Sequence, residues 1–91
     1  MAIEVRVPTV LRKHTDGQRR VSGDGDHLRE VINDLGHRHD GLKSALMADD
    51  GSLHRFINVY VNDEDVRFMK GIDTPLSDGD IVSILPAVAG G

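Results

Sequence analysis

The chain has 91 residues, 38% of them hydrophobic and only 3% aromatic, with a net charge of −4. That length fits one small domain with a core of Val, Ile and Leu, and leaves little room for a deep enclosed active site. The mild acidity argues against a nucleic-acid footprint, and the absence of cysteine excludes disulfides, thiolate metal sites and cysteine nucleophiles.

Ile3, Val5 and Val7 alternate with Glu4 and Arg6, the period-two pattern of a strand with one buried face. Thr9 to Leu11 are read as its extension past Pro8. His14-Thr15-Asp16-Gly17 has turn chemistry, and Gln18 to Ser22 return as a second strand, so residues 3–22 are expected to form a hairpin. Gly23 to Asp26 read as a loop, with Asp26 as the helix N-cap. Leu28, Val31, Ile32 and Leu35 then mark one face of a helix. Gly36 is a candidate C-cap, unless His37 to His39 continue the helix. Leu42, Ala45, Leu46 and Met47 suggest one or two further helical turns.

Phe56 to Val61 form the most strand-like segment, followed by a turn at Asn62 to Asp65 and a short returning strand at Val66 to Phe68. Gly71 to Pro75 read as irregular. Asp78-Gly79 is a tight turn, and Ile81 to Leu85 read as a central strand, apolar on both faces apart from Ser83. The whole is an α+β layout: a mixed sheet with one main helix across one face. The expected division is a domain at 1–85 and a tail at 86–91. Ile32→Ala should empty a core site, and residues 87–91 are expected to be mobile in the free chain.

Catalytic and metal motifs are weak. His14, His27, His37, His39 and His54 lack metal-site spacing, and His37 and His39 fall on different helical faces, so no metal is expected. Gly36 to Ser44 is one inserted residue away from a phosphate loop, and it follows a helix where that motif needs a strand. The N-terminus has no signal-peptide pattern and no stretch reaches membrane-spanning length, so a cytoplasmic protein without membrane or nucleic-acid partners is the expectation. The best remaining reactive group is the carboxylate of Gly91, at the end of Pro86-Ala87-Val88-Ala89-Gly90-Gly91. This arm is narrow and ends on two residues of wide backbone freedom. Such an arm can enter a partner's active site, have Gly91 adenylated by ATP there, and take up sulfur as a thiocarboxylate.

Leu76-Ser77-Asp78-Gly79-Asp80, the strand Ile81 to Leu85, Pro86, Val88 and Gly90-Gly91 together resemble the ubiquitin-like sulfur carriers of the MoaD/ThiS family. Pro8 to Arg12, Leu53 to Phe56 and Asn58 to Phe68 make the likeness greatest to the CysO branch. The resemblance covers the whole chain. It implies a β-grasp fold and a carrier rather than an enzyme, with no bound cofactor and ATP consumed by a ubiquitin-activating-type adenylating enzyme. Sulfur from a rhodanese or persulfide source would go to a PLP-dependent cysteine synthase, and a JAMM-type metalloprotease would release the cysteine. Thiamin, molybdopterin or a thiolated specialised metabolite are alternative destinations, and capture of activated Gly91 by a lysine would make the chain a modifier. Phe68 and Met69 are candidates for the family's apolar docking patch, with core or edge packing as their other reading.

Overall fold

The computed structural model describes residues 2–87. Strand β1 (Ala2–Arg6) pairs antiparallel with β2 (Arg20–Asp24) and parallel with β5 (Ile81–Pro86). On the other side of β5, β3 (Ile57–Val61) pairs antiparallel and carries β4 (Glu64–Asp65) at the edge. The order is β2-β1-β5-β3-β4, so the last strand in sequence is the middle strand in space. Helix α1 (Leu28–Arg38) lies across one face, and the short helix α2 (Leu42–Leu46) follows it.

Leu28, Val31, Ile32 and Leu35 are all buried, as the helical spacing predicts. They join Ile3, Val5, Val59, Val61, Val82 and Ile84 in one core. Burying side chains of this size is worth about 1.5–3 kcal/mol each, so this layer supplies the main drive to fold. Two glycines let helix and sheet approach closely. A Cβ on Gly25 would stand 2.7 Å from Glu30 Cβ and 2.8 Å from the Val31 amide nitrogen, and one on Gly23 would meet Val31 Cγ1 at 3.0 Å.

Several local expectations are corrected. Thr9–His14 is a 3-10 helix rather than a strand extension: Pro8 caps it, its carbonyl accepting from Leu11 N–H at 3.0 Å, and Leu11 turns into the core. The second strand starts at Arg20 and runs through Gly23 and Asp24, which were expected in a loop. His27, not Asp26, is the N-cap of α1. The amide of Asp26 instead donates to Glu30 Oε1 at 2.8 Å, and the Leu28 amide is satisfied by the Thr74 carbonyl at 2.9 Å. Gly36 lies inside α1, which runs to Arg38 and is capped by His39, whose N–H donates to the Leu35 carbonyl at 2.8 Å.

The turn after β3 needs only Asn62 and Asp63, both at positive φ (50° and 73°), the backbone of a two-residue hairpin turn. Val66–Phe68 is a 3-10 turn rather than a strand, because the Asp65 carboxylate accepts from the Arg67 amide at 2.9 Å and bends the chain. The Asp78-Gly79 turn is as expected, with Gly79 at φ 90°. Asn62 ties it to the hairpin: its amide side chain donates to Asp80 Oδ1 and accepts from the Ile81 amide, each at 3.0 Å.

Candidate functional site

The arm is rooted in the centre of the sheet. Ile57 stands opposite Pro86, and the Ala87 amide donates to the Phe56 carbonyl at 2.8 Å. Bonding to β3 through residue 87 implies, by the two-residue alternation of an antiparallel ladder, that the nitrogen of Pro86 faces the β1 side. There β1 has already ended, its last partner on β5 being Ser83. The missing N–H of proline therefore costs no ladder bond. The strand reaches one residue further than the expected boundary at 85, and Ala87, expected to be mobile, is hydrogen-bonded. Val88, Ala89, Gly90 and Gly91 lie outside the described residues, and so does the expectation of mobility there.

The sheet face away from α1 carries mostly half-buried and exposed side chains. One row crosses all five strands: Arg20 opposite Arg6, Arg6 beside Ser83, Ser83 opposite Tyr60, and Tyr60 opposite Asp65. Asp65 anchors the far end. Its carboxylate accepts from Arg67 Nη2 at 2.8 Å and from the Arg67 amide, and the Arg67 side chain above all, then the amide, hold its pKa below the ordinary aspartate value. At the near end Arg6, Arg12, Arg19 and Arg20 line an open groove of about 700 Å³ with Tyr60 and Leu85. Leu85 lies two residues before Ala87, so this groove borders the root of the arm.

Phe68 is 82% exposed and Met69 38%. Neither belongs to the core, and both are exposed just beyond β4. Sequence reasoning missed three further exposed apolar residues, Phe56, Leu85 and Val10. Phe56 stacks on His54, with ring centroids 6.5 Å apart, and its carbonyl holds the arm. The signal for Leu85 was available, since strict alternation after buried Val82 and Ile84 puts it on the opposite face. The histidines form no metal-binding cluster among the described residues. Gly36 to Ser44 spans the junction of two helices, which is not the strand-to-helix geometry of a phosphate loop.

A mixed sheet gripping one long helix, with its middle strand running into the C-terminal residues, defines a ubiquitin-like β-grasp protein. The family model of the ThiS family matches residues 5–91, and the chain belongs to that family. Over 93 residues, covering all of both chains, it is 55% identical to the sulfur carrier protein CysO of Mycobacterium tuberculosis (strain ATCC 25618 / H37Rv). The crystal structure of the Amycolatopsis orientalis BexX/CysO complex contains a similar chain, with a TM-score of 0.90 and 52% identity over 98% of this chain and 99% of that one. Small archaeal modifier protein 3 of Haloferax volcanii is 36% identical over 95 residues, again covering both chains fully. No helix among the described residues is long and apolar enough to cross a membrane.

Proposed function

We propose that this chain is a sulfur carrier whose Gly91 carboxylate is the working group. The observation that carries the reading is the full-length match to a CysO sulfur carrier, in a fold whose middle strand leads directly into the arm. A carboxylate oxygen of Gly91 attacks the α-phosphate of ATP in an adenylating partner of the ubiquitin-activating type, expelling pyrophosphate. Hydrosulfide then attacks the acyl carbon and AMP leaves, giving a thiocarboxylate. Catalysis belongs to the partners, and this chain contributes a reagent of fixed shape. Four residues follow Ala87, a reach of roughly 13 Å when fully extended. That suffices to cross the mouth of a narrow site, and Val88, Ala89, Gly90 and Gly91 have no bulky side chain to obstruct it. Pro86 and Ala87 would stay at the entrance.

The sulfur is destined for cysteine biosynthesis, with a PLP-dependent cysteine synthase as acceptor and a JAMM-type metalloprotease releasing the product. That destination draws on the CysO match. The likeness to a small archaeal modifier supports a second reading, in which a lysine amine captures the same activated carboxylate.

The test is intact-protein mass spectrometry after incubation with the adenylating enzyme, ATP and sulfide. Exchange of one oxygen for one sulfur is expected, and lysine-linked adducts would favour the modifier. Deleting Gly91, or adding a residue after it, should abolish loading while leaving the melting temperature unchanged. Deletion withdraws the carboxylate by ~3.3 Å, as much as the whole near-attack distance of about 3–3.5 Å. Extension converts it to an amide that cannot form an acyl adenylate. Loading of an untrimmed extended chain at the wild-type rate would overturn the assignment of Gly91.

A further inference from the structure

The chain is acidic overall, yet one end of its open sheet face gathers four arginines. Arg6 comes from β1, Arg12 from the 3-10 helix, and Arg19 and Arg20 from the entry to β2. Arg6 and Arg20 stand directly opposite each other, a like-charge pairing that weakens a sheet. Arg6 Nε donates to Glu4 Oε2 at 3.0 Å. Arg12 Nε donates to the neutral Val7 carbonyl at 3.1 Å, and its guanidinium makes no ion pair with another described residue. The side chains of Arg19 and Arg20 are exposed and make no hydrogen bond or ion pair with another described residue. Asp63 is the acidic residue that lines the groove with them.

We infer that this groove is a docking surface for an acidic segment of the protein partner that takes up the arm. The inference rests on the carrier reading above and names the chemistry of the partner. Charge complementarity carries it: planar guanidinium groups fanned across a flat face match carboxylates, and a carboxylate between Arg6 and Arg20 removes their mutual repulsion. Position agrees, because Leu85 of the groove wall lies two residues before Ala87, so a protein enclosing the arm must cover it. Shape agrees too, because the groove is wide and open, suited to a length of polypeptide rather than to an enclosed small molecule. Charge of this kind steers association, so its main effect falls on the rate of encounter and its salt dependence.

The test uses the full chain, Arg19→Glu/Arg20→Glu, and Arg19→Lys/Arg20→Lys as the control that keeps the charge. Circular dichroism melts should show all three folded, with the glutamate variant no less stable than wild type, since both sites are exposed and Arg20→Glu puts a carboxylate opposite Arg6. In NMR titrations at low salt, a hexaglutamate peptide should shift the amides of Arg6, Arg20, Ser83 and Leu85. The shifts should vanish at high salt and in the glutamate variant, and persist in the lysine variant. With the adenylating enzyme, charge reversal should raise the KM for the carrier by about tenfold or more, with kcat held, and flatten its salt dependence. Shifts produced by inorganic phosphate at lower concentration than the peptide would make the groove a small-anion site and overturn the proposal. So would an absence of peptide shifts, or a wild-type KM in the glutamate variant. A wild-type chain that never loads sulfur would defeat the Gly91 reading instead, and the peptide titration would still decide the groove.

Discussion

On the helix side of the sheet, Ile3, Val5, Val59, Val61, Val82 and Ile84 stand at alternate positions, and none is more than 5% exposed. On the other side the same strands present Glu4, Arg6, Tyr60, Ser83 and Leu85, all half-buried or exposed. The backbone and its hydrogen bonds are shared, so the two faces differ only in what their side chains meet. One face meets α1 and pays for the fold. The other meets solvent, and keeps charged and apolar side chains at the surface. A period of two in sequence thus separates stability from recognition within single strands.

The sharpest test of that separation is on the helix side. Ile32→Ala and Ile84→Ala should each cost about 2–5 kcal/mol, because each empties a site that is at most 3% exposed. Chemical denaturation of the two variants measures this, and a loss below about 0.5 kcal/mol, the range of surface sites, would mean that the core face is misassigned. Gly25→Ala should cost about 1–3 kcal/mol, because its methyl would collide with the Val31 amide nitrogen at 2.8 Å, which is backbone and cannot rotate aside. The same denaturation experiment reads it, and a neutral result would show that β2 and α1 can separate without penalty.

A smaller effect is expected where the solvated face of α1 is pinned to β2. Asp34 accepts from the Asp24 amide at 2.9 Å and from Arg38 Nε at 2.7 Å, and Arg38 also bonds Asp24 at 2.9 Å. The Asp24 amide first, and then Arg38, lower the Asp34 pKa from its ordinary 3.8. A carboxylate depressed in the folded state stabilises it above the unfolded pKa. That contribution fades as pH falls through 3.8 and is gone below the folded value. Asp34→Asn should therefore cost at most about 1 kcal/mol at pH 7, and the gap to wild type should narrow as pH falls below 3.8. A gap that widened on acidification would reverse the sign assigned here. The smallest effect belongs to Leu85→Ala, one residue from Ile84 and 47% exposed, with a change within about 0.5 kcal/mol. A loss comparable to that of Ile84→Ala would erase the distinction between the faces.

The parts of the fold that sequence revealed are those with unbroken periodicity. Leu28, Val31, Ile32 and Leu35 define α1 by spacing alone, and Ile81 to Leu85 were read as the middle strand because so long an apolar run needs neighbours on both sides. The misread segments are those where a side chain captures the backbone. Val66 to Phe68 have strand composition, but the Asp65 carboxylate takes the Arg67 amide and turns them into a 3-10 helix. Thr9 to Leu11 look extended until Leu11 is seen to leave the sheet for the core. Gly91, the proposed chemical end of the site, could be singled out from sequence because its place is a matter of composition and order. The basic groove could not. In sequence Arg12-Lys13 and Arg19-Arg20 are only short basic pairs, and it is the return of the chain from β1 to β2 that brings Arg12, Arg19 and Arg20 beside Arg6.

Pro86 also governs where the sheet stops growing. A middle strand that outruns its neighbour leaves a short exposed edge, and such edges invite pairing with a strand from another molecule. At Pro86 the side facing the end of β1 offers no N–H to a newcomer. A second copy of the chain laid along that edge would find a carbonyl where it needs a donor. The residue that lets the strand continue on the β3 side therefore closes it to neighbours on the β1 side, and the sheet ends there without an open donor edge.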